Sequence, residues 1–380
     1  MAALLDVYKP ELWAQETLMQ LFPTLKFAGL VHRDFDAQVQ SVGDVVNTRM
    51  PHTMVATNVD PDSFVSVKPT ADNVEVRLDQ WKQVVYEIGD KEASMTIRDL
   101  QSDFAKPAAE ALGGAYEDAI VGLYSDVGNI TGIAGTTPAT ISALGTDIQE
   151  KFNTLNVAET DRSVVLGPKA HNKYNQVFYQ DYVSGSPAQQ TEGQLTRKFG
   201  MSYTNSNRLA RHVTGIAGTV TCSSNQAASV LNAGSIVAGT LAVTGMTANA
   251  KKGDIITLDH GAVLGVCSYN VTADTAHSAS AATLPIFPAL RAAVVSTQSV
   301  TIIASHDVNI AFAKNAFALV TRPLKVPNAP GASVYTASIG NITIRASVWY
   351  EAKDLRTYVR IDSLFGVKTL DPRKAIRVLG

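Results

Sequence analysis

The sequence has few of the residues from which metal sites and disulfide frameworks are built. Only two cysteines occur in 380 residues, Cys222 and Cys267, which are too few for a disulfide scaffold. Seven histidines are scattered along the chain, and no pair has the spacing of metal ligands. The sequence also lacks a phosphate-binding glycine loop, a dinucleotide fingerprint and a nucleophile-elbow serine. It therefore predicts no enzyme and no cofactor, and it favours a structural role.

Neither a charge of one sign nor a long apolar run dominates the chain. The 32 basic and 34 acidic residues nearly cancel, so the chain as a whole offers no strong field to nucleic acid or anionic membrane. No uninterrupted apolar run reaches about 18 residues, so no bilayer span is predicted. The opening MAALLDVYKPELW lacks the apolar run of a signal peptide. These features predict a soluble protein made in a reducing cytoplasm, where both thiols stay free.

The stretch from Thr96 to Gly128 has the apolar spacing of one long helix. Thr96 with Asp99 resembles a capping box, and Gly128 supplies a stop signal. Pro107 is expected to bend the helix because it removes a backbone donor. A single buried stripe is predicted from the three-and-four spacing of Ile97, Leu100, Phe104, Ala108, Ala111, Ala115, Ala119 and Leu123. A long helix with so narrow a stripe is suited to lying across a sheet.

The chain before this helix predicts an arm and a ribbon. A short helix over Glu11–Met19 must pack either on its own body or on a neighbouring chain. Val45–Met50 has the pattern of a strand, and one alternating run extends from Asn73 to Ile88. The polar stretch His52–Asp72 between them is far longer than a hairpin turn requires. A two-stranded ribbon has little core of its own and is marginal unless it packs on another surface.

The chain after the long helix predicts a compact α/β unit with an insert. Ile141–Val157 has a helical pattern, Ser163–Leu166 is a short buried strand, and Gly167–Pro168 opens another helix. Thr214–Val300 stands apart because it holds only six of the 66 charged residues (32 basic plus 34 acidic). Its short alternating runs, separated by turns, predict a small barrel or sandwich inserted into the α/β unit.

The α/β pattern resumes at Thr301 and includes a short apolar strand, Ala316–Val320. Alternation then predicts a strand over Ile342–Tyr350, a further strand over Tyr358–Ile361 and a polar tail. Predicted strands therefore lie on both sides of the long helix along the sequence.

This order of parts, together with NIAFAKNAFALVTRPL at 309–324, resembles the major capsid proteins of tailed bacteriophages with the Hong Kong 97-type fold. The insert sequence GMTANAKKGDIITLDHGAVLGV is similar to the inserted β-barrel of short-tailed Salmonella-phage coat proteins. The resemblance implies an α+β chain with an axial domain, a peripheral domain with a long spine helix, an extended loop and an N-terminal arm. The insert here, about 87 residues, is shorter than the barrel of that group.

The resemblance also implies a division of the chain. The expected segments are the N-terminal arm at 1–41, the extended loop and peripheral strands at 42–95, the spine helix at 96–128, the axial domain at 129–213 and 301–340, the β-barrel at 214–300, and returning peripheral strands with the C-terminus at 341–380.

A capsid protein implies self-assembly and particular partners. The expected assembly is an icosahedral shell of pentamers and hexamers around double-stranded DNA, bound without sequence specificity. A scaffolding protein and a portal are expected during assembly in the host cytoplasm, and the final location is the virion, with no membrane partner. The residues expected to contact a neighbouring subunit are Phe64, Val65, Lys68, Arg77 and Trp81.

Two other functions fit parts of the pattern. A cellular nanocompartment shell of the same fold, similar to encapsulin, would enclose a cargo enzyme in place of DNA. A hydrolase with a β-rich binding module is the alternative from another class, and the missing nucleophile and metal signatures count against it. What co-purifies with the protein distinguishes the first alternative, and recovery as a stable monomer would favour the second.

Overall fold

A computed structural model describes the chain over most of its length. The described residues are 10–33, 45–49, 73–90, 100–135, 141–180, 197–228, 238–261, 264–326, 332–339 and 341–380. The chain divides into two compact units. Unit one comprises 1–25, 32–116 and 317–371, and unit two comprises 26–31, 117–316 and 372–380.

The described residues form helices and strands in alternating groups. The α-helices are α1 (Pro10–Thr24), α2 (Leu100–Gly122), α3 (Ile141–Thr154) and α4 (Pro168–Gln180). The first strands are β1 (Val45–Arg49), β2 (Asn73–Arg77), β3 (Gln80–Gly89), β4 (Ile130–Thr131), β5 (Arg162–Leu166), β6 (Ser202–Asn205) and β7 (Arg211–His212). They are followed by β8 (Gly218–Cys222), β9 (Gly239–Thr244), β10 (Ile255–Asp259), β11 (Val266–Val271), β12 (Ala281–Phe287) and β13 (Ser299–Ile302). The last are β14 (His306–Ala313), β15 (Phe317–Arg322), β16 (Ala332–Ile339), β17 (Ile342–Glu351), β18 (Arg356–Thr369) and β19 (Ala375–Leu379).

Unit one is built on a five-stranded antiparallel sheet. Strands β15 and β17 pair with successive parts of one edge of β18, and β16 pairs with the far edge of β17. Strand β3 pairs with the opposite edge of β18. One face of this sheet is covered by α1, whose Trp13 and Leu18 are each 1% exposed. The Trp13 ring lies 5.6 Å from the Tyr86 ring on β3. The predicted N-terminal helix therefore packs on its own chain, which decides between the two possibilities left open by the sequence.

The described part of α2 corrects two expectations for the long helix. The α-helix ends at Gly122 and continues as a 3-10 turn over Leu123–Asp126, so the predicted stop at Gly128 is too late. The buried stripe is also displaced from the predicted one, because Phe104 is 36% exposed and Ala111 is exposed. The buried apolar side chains of the helix are those of Ala105, Ala108, Ala109, Leu112, Tyr116, Ile120 and Val121. Of the described members of the predicted stripe only Ala108 is buried, and alanines predict a buried face weakly because each contributes little apolar area.

The predicted strand over Asn73–Ile88 is wrong as a single element. The chain breaks at Leu78 and Asp79, and the two halves belong to different sheets. The first half, β2, pairs with β1 as a two-stranded ribbon, whereas the second half, β3, pairs with β18. The base of the ribbon is anchored by apolar packing on β15, through a cluster of Val46, Val76, Leu78, Ala318 and Val320. The predicted loop His52–Asp72 lies outside the described residues.

Unit two contains a six-stranded sheet of order β4–β19–β14–β5–β6, with β7 paired to β14. Its strands β5 and β6 run parallel, so both end at the same edge of the sheet. Helices α3 and α4 pack on it through Ile148, Phe152 and Tyr174, each fully buried. These elements confirm the predicted helix–strand–helix pattern, including the helix that opens at Pro168.

The insert forms a closed six-stranded antiparallel barrel, which confirms the predicted β-barrel. The strand order is β10–β11–β12–β9–β8–β13, and pairs such as Ile256 with Ile302 close it between β10 and β13. Alternate residues of each strand point inward and form an apolar core. Cys222 and Cys267 are both free thiols in this core.

The end of the chain corrects the predicted polar tail. Residues Ala375–Leu379 form β19, which is buried throughout and lies between β4 and β14 in the sheet of unit two. The strand escaped prediction because Arg377 interrupts its apolar run, and that guanidinium is itself fully buried.

Candidate interaction surface

The sheet of unit one has a second face, which carries polar and aromatic side chains. Residues directly opposite each other in an antiparallel pair lie on the same face. Trp81 is opposite Leu364, Val85 is opposite Arg360, and Asp362 is opposite Arg345. We call this set the outer face. It comprises Trp81, Gln83, Val85, Glu87, Arg345, Ser347, Trp349, Tyr358, Arg360, Asp362 and Leu364.

Asp362 is the centre of the outer face. Its carboxylate is fully buried and accepts hydrogen bonds from Arg345 Nη2 at 2.6 Å and Nε at 3.0 Å. A third contact comes from Arg360 Nη2 at 3.1 Å, and Trp81 Nε1 donates at 3.1 Å. Because all four contacts converge on one carboxylate, each of the donor side chains is fixed in orientation.

The same carboxylate holds an aromatic ring in a preset position. The Arg360 guanidinium lies over the Trp81 ring at 5.4 Å, within the range of a cation–π contact. Trp81 nevertheless stays 56% exposed, and the neighbouring Val85 is 45% exposed. The face thus presents an anchored tryptophan to solvent, which is the residue type most enriched at the energetic centres of protein interfaces.

The rest of the outer face and its edge are also suited to binding a protein. Trp349 and Tyr358 stack with ring centroids 5.5 Å apart, next to the Asp362 cluster. Within the described residues, one edge of β3 pairs with no strand, and an unpaired strand edge can pair with another chain. Aromatic residues and arginines beside an open strand edge form a surface for protein contacts rather than for small-molecule chemistry.

The structure places two of the five predicted contact residues. Trp81 lies on the outer face, whereas Arg77 lies on β2, where its side chain is 75% exposed and meets Glu75 at 4.0 Å. The structure thus does not bring Arg77 into the Asp362 cluster. Phe64, Val65 and Lys68 lie outside the described residues. Whether any of the five contacts a neighbouring subunit stays a prediction.

Sequence reasoning missed Arg345, Arg360 and Asp362. For Arg345 and Arg360 the available signal was a charge inside a run already predicted as a strand, since a charge in a half-buried strand requires a partner. Asp362 lies one residue beyond the predicted strand Tyr358–Ile361. Arg360 and Asp362 lie two positions apart on β18, whereas Arg345 comes from the adjacent strand β17 and Trp81 from the distant strand β3, so the strand register brings the four together.

A second polar cluster, in unit two, joins the barrel to the six-stranded sheet. We call it the junction cluster, and it comprises Tyr124, His212, Asp254, His306 and Arg377. His212 Nε2 lies 2.8 Å from Asp254 Oδ1, and its Nδ1 lies 3.0 Å from the Tyr124 hydroxyl. Arg377 donates to the carbonyls of Gly253, Tyr124 and Val127. These bonds fasten the turn before β10 to the end of α2 and to β19.

Burial controls the electrostatics of the junction cluster. It lowers the pKa of Arg377 to about 10, so the guanidinium stays charged at neutral pH. Burial also lowers the pKa of His306 to about 4, with further lowering by the charges of Arg377 and His212. His306 Nδ1 donates to the Ala304 carbonyl, and its buried Nε2 has no hydrogen-bond partner among the described residues. The neutral imidazole is therefore the form that the folded chain favours.

Sites for metals or small ligands are poorly represented in the described ranges. No group of three or more His, Cys, Asp or Glu side chains there could hold a metal ion. A cavity of about 130 Å³ lies in unit two beside the start of α4, lined by residues that include Lys169, Arg211 and Asp307. Within the part of the chain that is described, no helix has the length and apolarity to span a membrane.

Comparisons with known proteins identify the fold. No protein-family model and no curated protein sequence match the chain. Among solved structures, a chain from Mycobacterium phage Che8 matches with a TM-score of 0.53 and 15% identity, over 93% of this chain and 90% of that one. A chain from the capsid of the cyanophage P-SCSP1u matches with a TM-score of 0.47 and 14% identity, over 93% and 91% of the two chains.

The protein therefore shares its fold with a solved chain from a phage, and helices and sheets are mixed in it and a closed six-stranded barrel is present. It is similar over nearly its whole length to the chain from Mycobacterium phage Che8. At this level of identity the likeness concerns the fold. The similarity of the insert to the barrel of short-tailed Salmonella-phage coat proteins is not tested by these structures and stays a prediction.

Proposed function

We propose that this chain is the major capsid protein of a tailed bacteriophage. It self-assembles into an icosahedral head that encloses double-stranded DNA, and its role is structural rather than enzymatic. The observation that carries the proposal is the fold likeness to the chain from Mycobacterium phage Che8, which spans nine-tenths or more of both chains. Such a likeness over the whole length leaves little room for a separate catalytic domain.

The outer face of unit one supports the proposal independently. A half-exposed tryptophan, oriented by a buried carboxylate and two arginines, is suited to contact with another subunit. In a heterologous contact, one surface of a subunit binds a different surface of the next copy. A shell subunit therefore needs exposed binding surfaces such as the outer face, and repeated contacts of this kind form a closed assembly when the rotation between copies permits closure.

The finer architecture belongs to the same proposal. The arrangement is the Hong Kong 97-type fold, with α2 as the spine helix of a peripheral domain, the sheet of unit two in an axial domain, and the barrel as the insert. In this assignment His52–Asp72, within the connection from Arg49 to Asn73 at the end of the ribbon, forms the extended loop. That loop lies on an adjacent subunit, which it contacts through Phe64, Val65 and Lys68. Arg77 and Trp81 of the same chain are further proposed contacts to a neighbouring subunit.

The partners follow from the proposed function. The chain forms pentamers and hexamers, assembles in the host cytoplasm with a scaffolding protein and a portal, and ends in the virion around DNA. Electron microscopy of the purified protein tests this, because closed shells of uniform size are expected. Shells that hold one cargo protein in place of DNA would indicate a nanocompartment, and a stable monomer that hydrolyses glycosidic or ester bonds would contradict a shell protein altogether.

Trp81→Ala tests the outer face directly. The variant should fold as the natural chain does, since Trp81 is more than half exposed, yet closed shells should fall at least about tenfold in yield, as expected for an interface anchor. Met19→Ala is the matched control, because Met19 is 66% exposed in the same unit but belongs to α1, which covers the opposite face. Equal shell yields from both variants would contradict the role given to the outer face.

A further inference from the structure

Basic residues are segregated in one part of unit two, although the whole chain is nearly neutral. No Asp or Glu occurs from Arg162 to Gln180 or from Gly193 to Gly253. The basic residues of the described parts of these stretches, up to His212, are Arg162, Lys169, Lys173, Arg197, Lys198, Arg208 and Arg211. Positive charge is therefore concentrated in these stretches, although the net charge of the whole chain is −2. Such a concentration creates a local positive potential that the net charge does not reveal.

The parallel pairing of β5 and β6 brings several of these cations to one edge of the sheet. Leu166 is opposite Asn205, so the chain leaves both strands at the same edge. Lys169 follows β5 in the first turn of α4. Arg208 follows β6, with its amide bonded to the hydroxyl of Ser206. The Ser206 amide in turn bonds to the carbonyl of Leu166.

Three further contacts extend the cluster. Lys26 Nζ donates to the carbonyl of Asn205 at 2.8 Å, which holds the lysine at this edge. Burial and the nearby charge of Lys26 lower the pKa of His171 on α4, so Lys26 is close to that helix. Lys169 and Arg211 line the same cavity. We call this set the basic edge, and its exposed members are Lys26, Lys169, Lys173, Arg208 and Arg211.

Few carboxylates offset the basic edge. Glu117 is buried and accepts the backbone amides of Lys26 and Phe27, so it presents little charge outward. Asp118 meets Arg208 at 3.4 Å in an exposed pair, and Asp307 lines the cavity that Lys169 and Arg211 also line. Within the described ranges no ion pair joins Lys169 or Lys173 to a carboxylate. Five exposed cations therefore stand against two partly exposed acids.

We propose that the basic edge binds the phosphate backbone of duplex DNA. The spacing fits this ligand, because Lys169 and Lys173 are four positions apart on α4 and side chains at that spacing are neighbours on one helix face. Lysine and arginine side chains contact phosphates without reading bases, so the binding is independent of sequence and strongly dependent on salt. This inference rests on the proposed function, since it names the surface through which a capsid subunit meets packaged DNA.

The test uses the full chain in its unassembled fraction and a fluorescent, mixed-sequence duplex of about 30 base pairs. Binding is followed by fluorescence anisotropy across a salt series from about 50 to 200 mM, where phosphate contacts change affinity most clearly. Lys169→Gln with Lys173→Gln should weaken binding roughly tenfold at 100 mM salt and should reduce the slope of log affinity against log salt by about 1.8, because each lost phosphate contact contributes about 0.9.

The matched control is Lys353→Gln with Lys368→Gln, two exposed lysines of unit one whose removal changes the net charge equally. The control should bind DNA like the natural chain. Equal weakening in both double variants, or no measurable binding by the natural chain at 50 mM salt, would overturn the inference. Electron microscopy of the same preparations distinguishes the two proposals. Absence of shells would contradict the capsid function, whereas normal shells without DNA binding would contradict only the role of the basic edge.

Discussion

Asp362 shows how one buried acid can organise a surface at the scale of single residues. It is fully buried, yet its four polar contacts come from side chains that reach toward solvent, including two arginines and the Trp81 indole. A buried charge of this kind contributes little net stability when paired, but removing it leaves its partners unsatisfied. The residue thus matters more for the orientation of Trp81 and Arg360 than for the core.

Asp362→Asn should therefore be strongly destabilising. The amide keeps the shape of the side chain but cannot neutralise Arg345 and Arg360, so we expect a loss of about 3 kcal/mol in the unfolding free energy of unit one. Urea unfolding of unassembled subunits measures it. Glu87→Gln is the control, because its ion pair with Arg356 is about half exposed on both sides and should matter little. Losses of similar size in both variants would contradict this account of the buried acid.

His306 gives unit two a stability that depends on pH. Burial lowers the pKa of this imidazole to about 4 in the folded chain. The unfolded chain has the ordinary value of about 6.5 and so binds more protons between these two pH values. The contribution of His306 is fully present above about pH 6.5 and is lost progressively toward pH 4, by up to about 3 kcal/mol.

The variant His306→Gln isolates this effect from other titrating groups. Urea unfolding of the natural chain and of the variant, compared from pH 7.5 to pH 4.5, should show a stability difference that shrinks as the pH falls. The other charged groups near His306 are Arg377, His212 and Asp307, and they are common to both proteins. A difference that stays constant across this range would show that His306 does not titrate as its burial implies.

At the scale of secondary-structure elements, Gly366 shows how closely β2 crosses the main sheet. A Cβ atom added at Gly366 would lie 2.1 Å from the backbone carbonyl oxygen of Arg77, a contact that no rotamer can relieve. At this point the backbone of the ribbon lies directly against the backbone of β18, beside the packing of Leu364 on the ribbon's apolar cluster. This close crossing explains why the alternating run from Asn73 to Ile88 divides into two strands.

Gly366→Ala should displace the ribbon and destabilise unit one by roughly 1–3 kcal/mol, in the range of overpacked sites. Gly122→Ala is the control, since nothing lies within 4 Å of an added Cβ there and the residue ends α2 in helical geometry. That change should be neutral or slightly stabilising, because alanine favours the helix. Thermal unfolding monitored by circular dichroism compares the two, and a neutral Gly366→Ala would show that the crossing is looser than described.

Several elements could be predicted from the sequence because their signals are local. Alternation located the ribbon strand at Val45 and the barrel strands, and Pro168 located the start of α4. The buried face of α2 could not be placed, because Leu112 and Tyr116 pack against partners that a helical pattern does not reveal. The contacts of Asp362 could not be predicted either, since they depend on the register of β18 with β17 and with β3, and β3 is distant in the sequence.

At the scale of the whole molecule, the described residues combine well-packed units with surfaces that no other described residue covers. Each unit has its own apolar core, and the barrel adds a closed one. The outer face, the open edge of β3 and the basic edge lie outside these cores. In our proposals these surfaces bind copies of the chain and DNA.

Residues 50–72 provide the sharpest test at this scale. Arg49 and Asn73 are paired at the end of the ribbon, and Val46 and Val76 anchor its base, so shortening the connection leaves these contacts intact. Deleting residues 60–66 should therefore preserve the melting temperature and helical signal of the subunit. Closed shells should nevertheless disappear from electron micrographs, because the segment is proposed to lie on a neighbouring subunit. Normal shells from the shortened chain would refute the extended-loop assignment, whereas loss of folding would place the segment in the core of its own subunit.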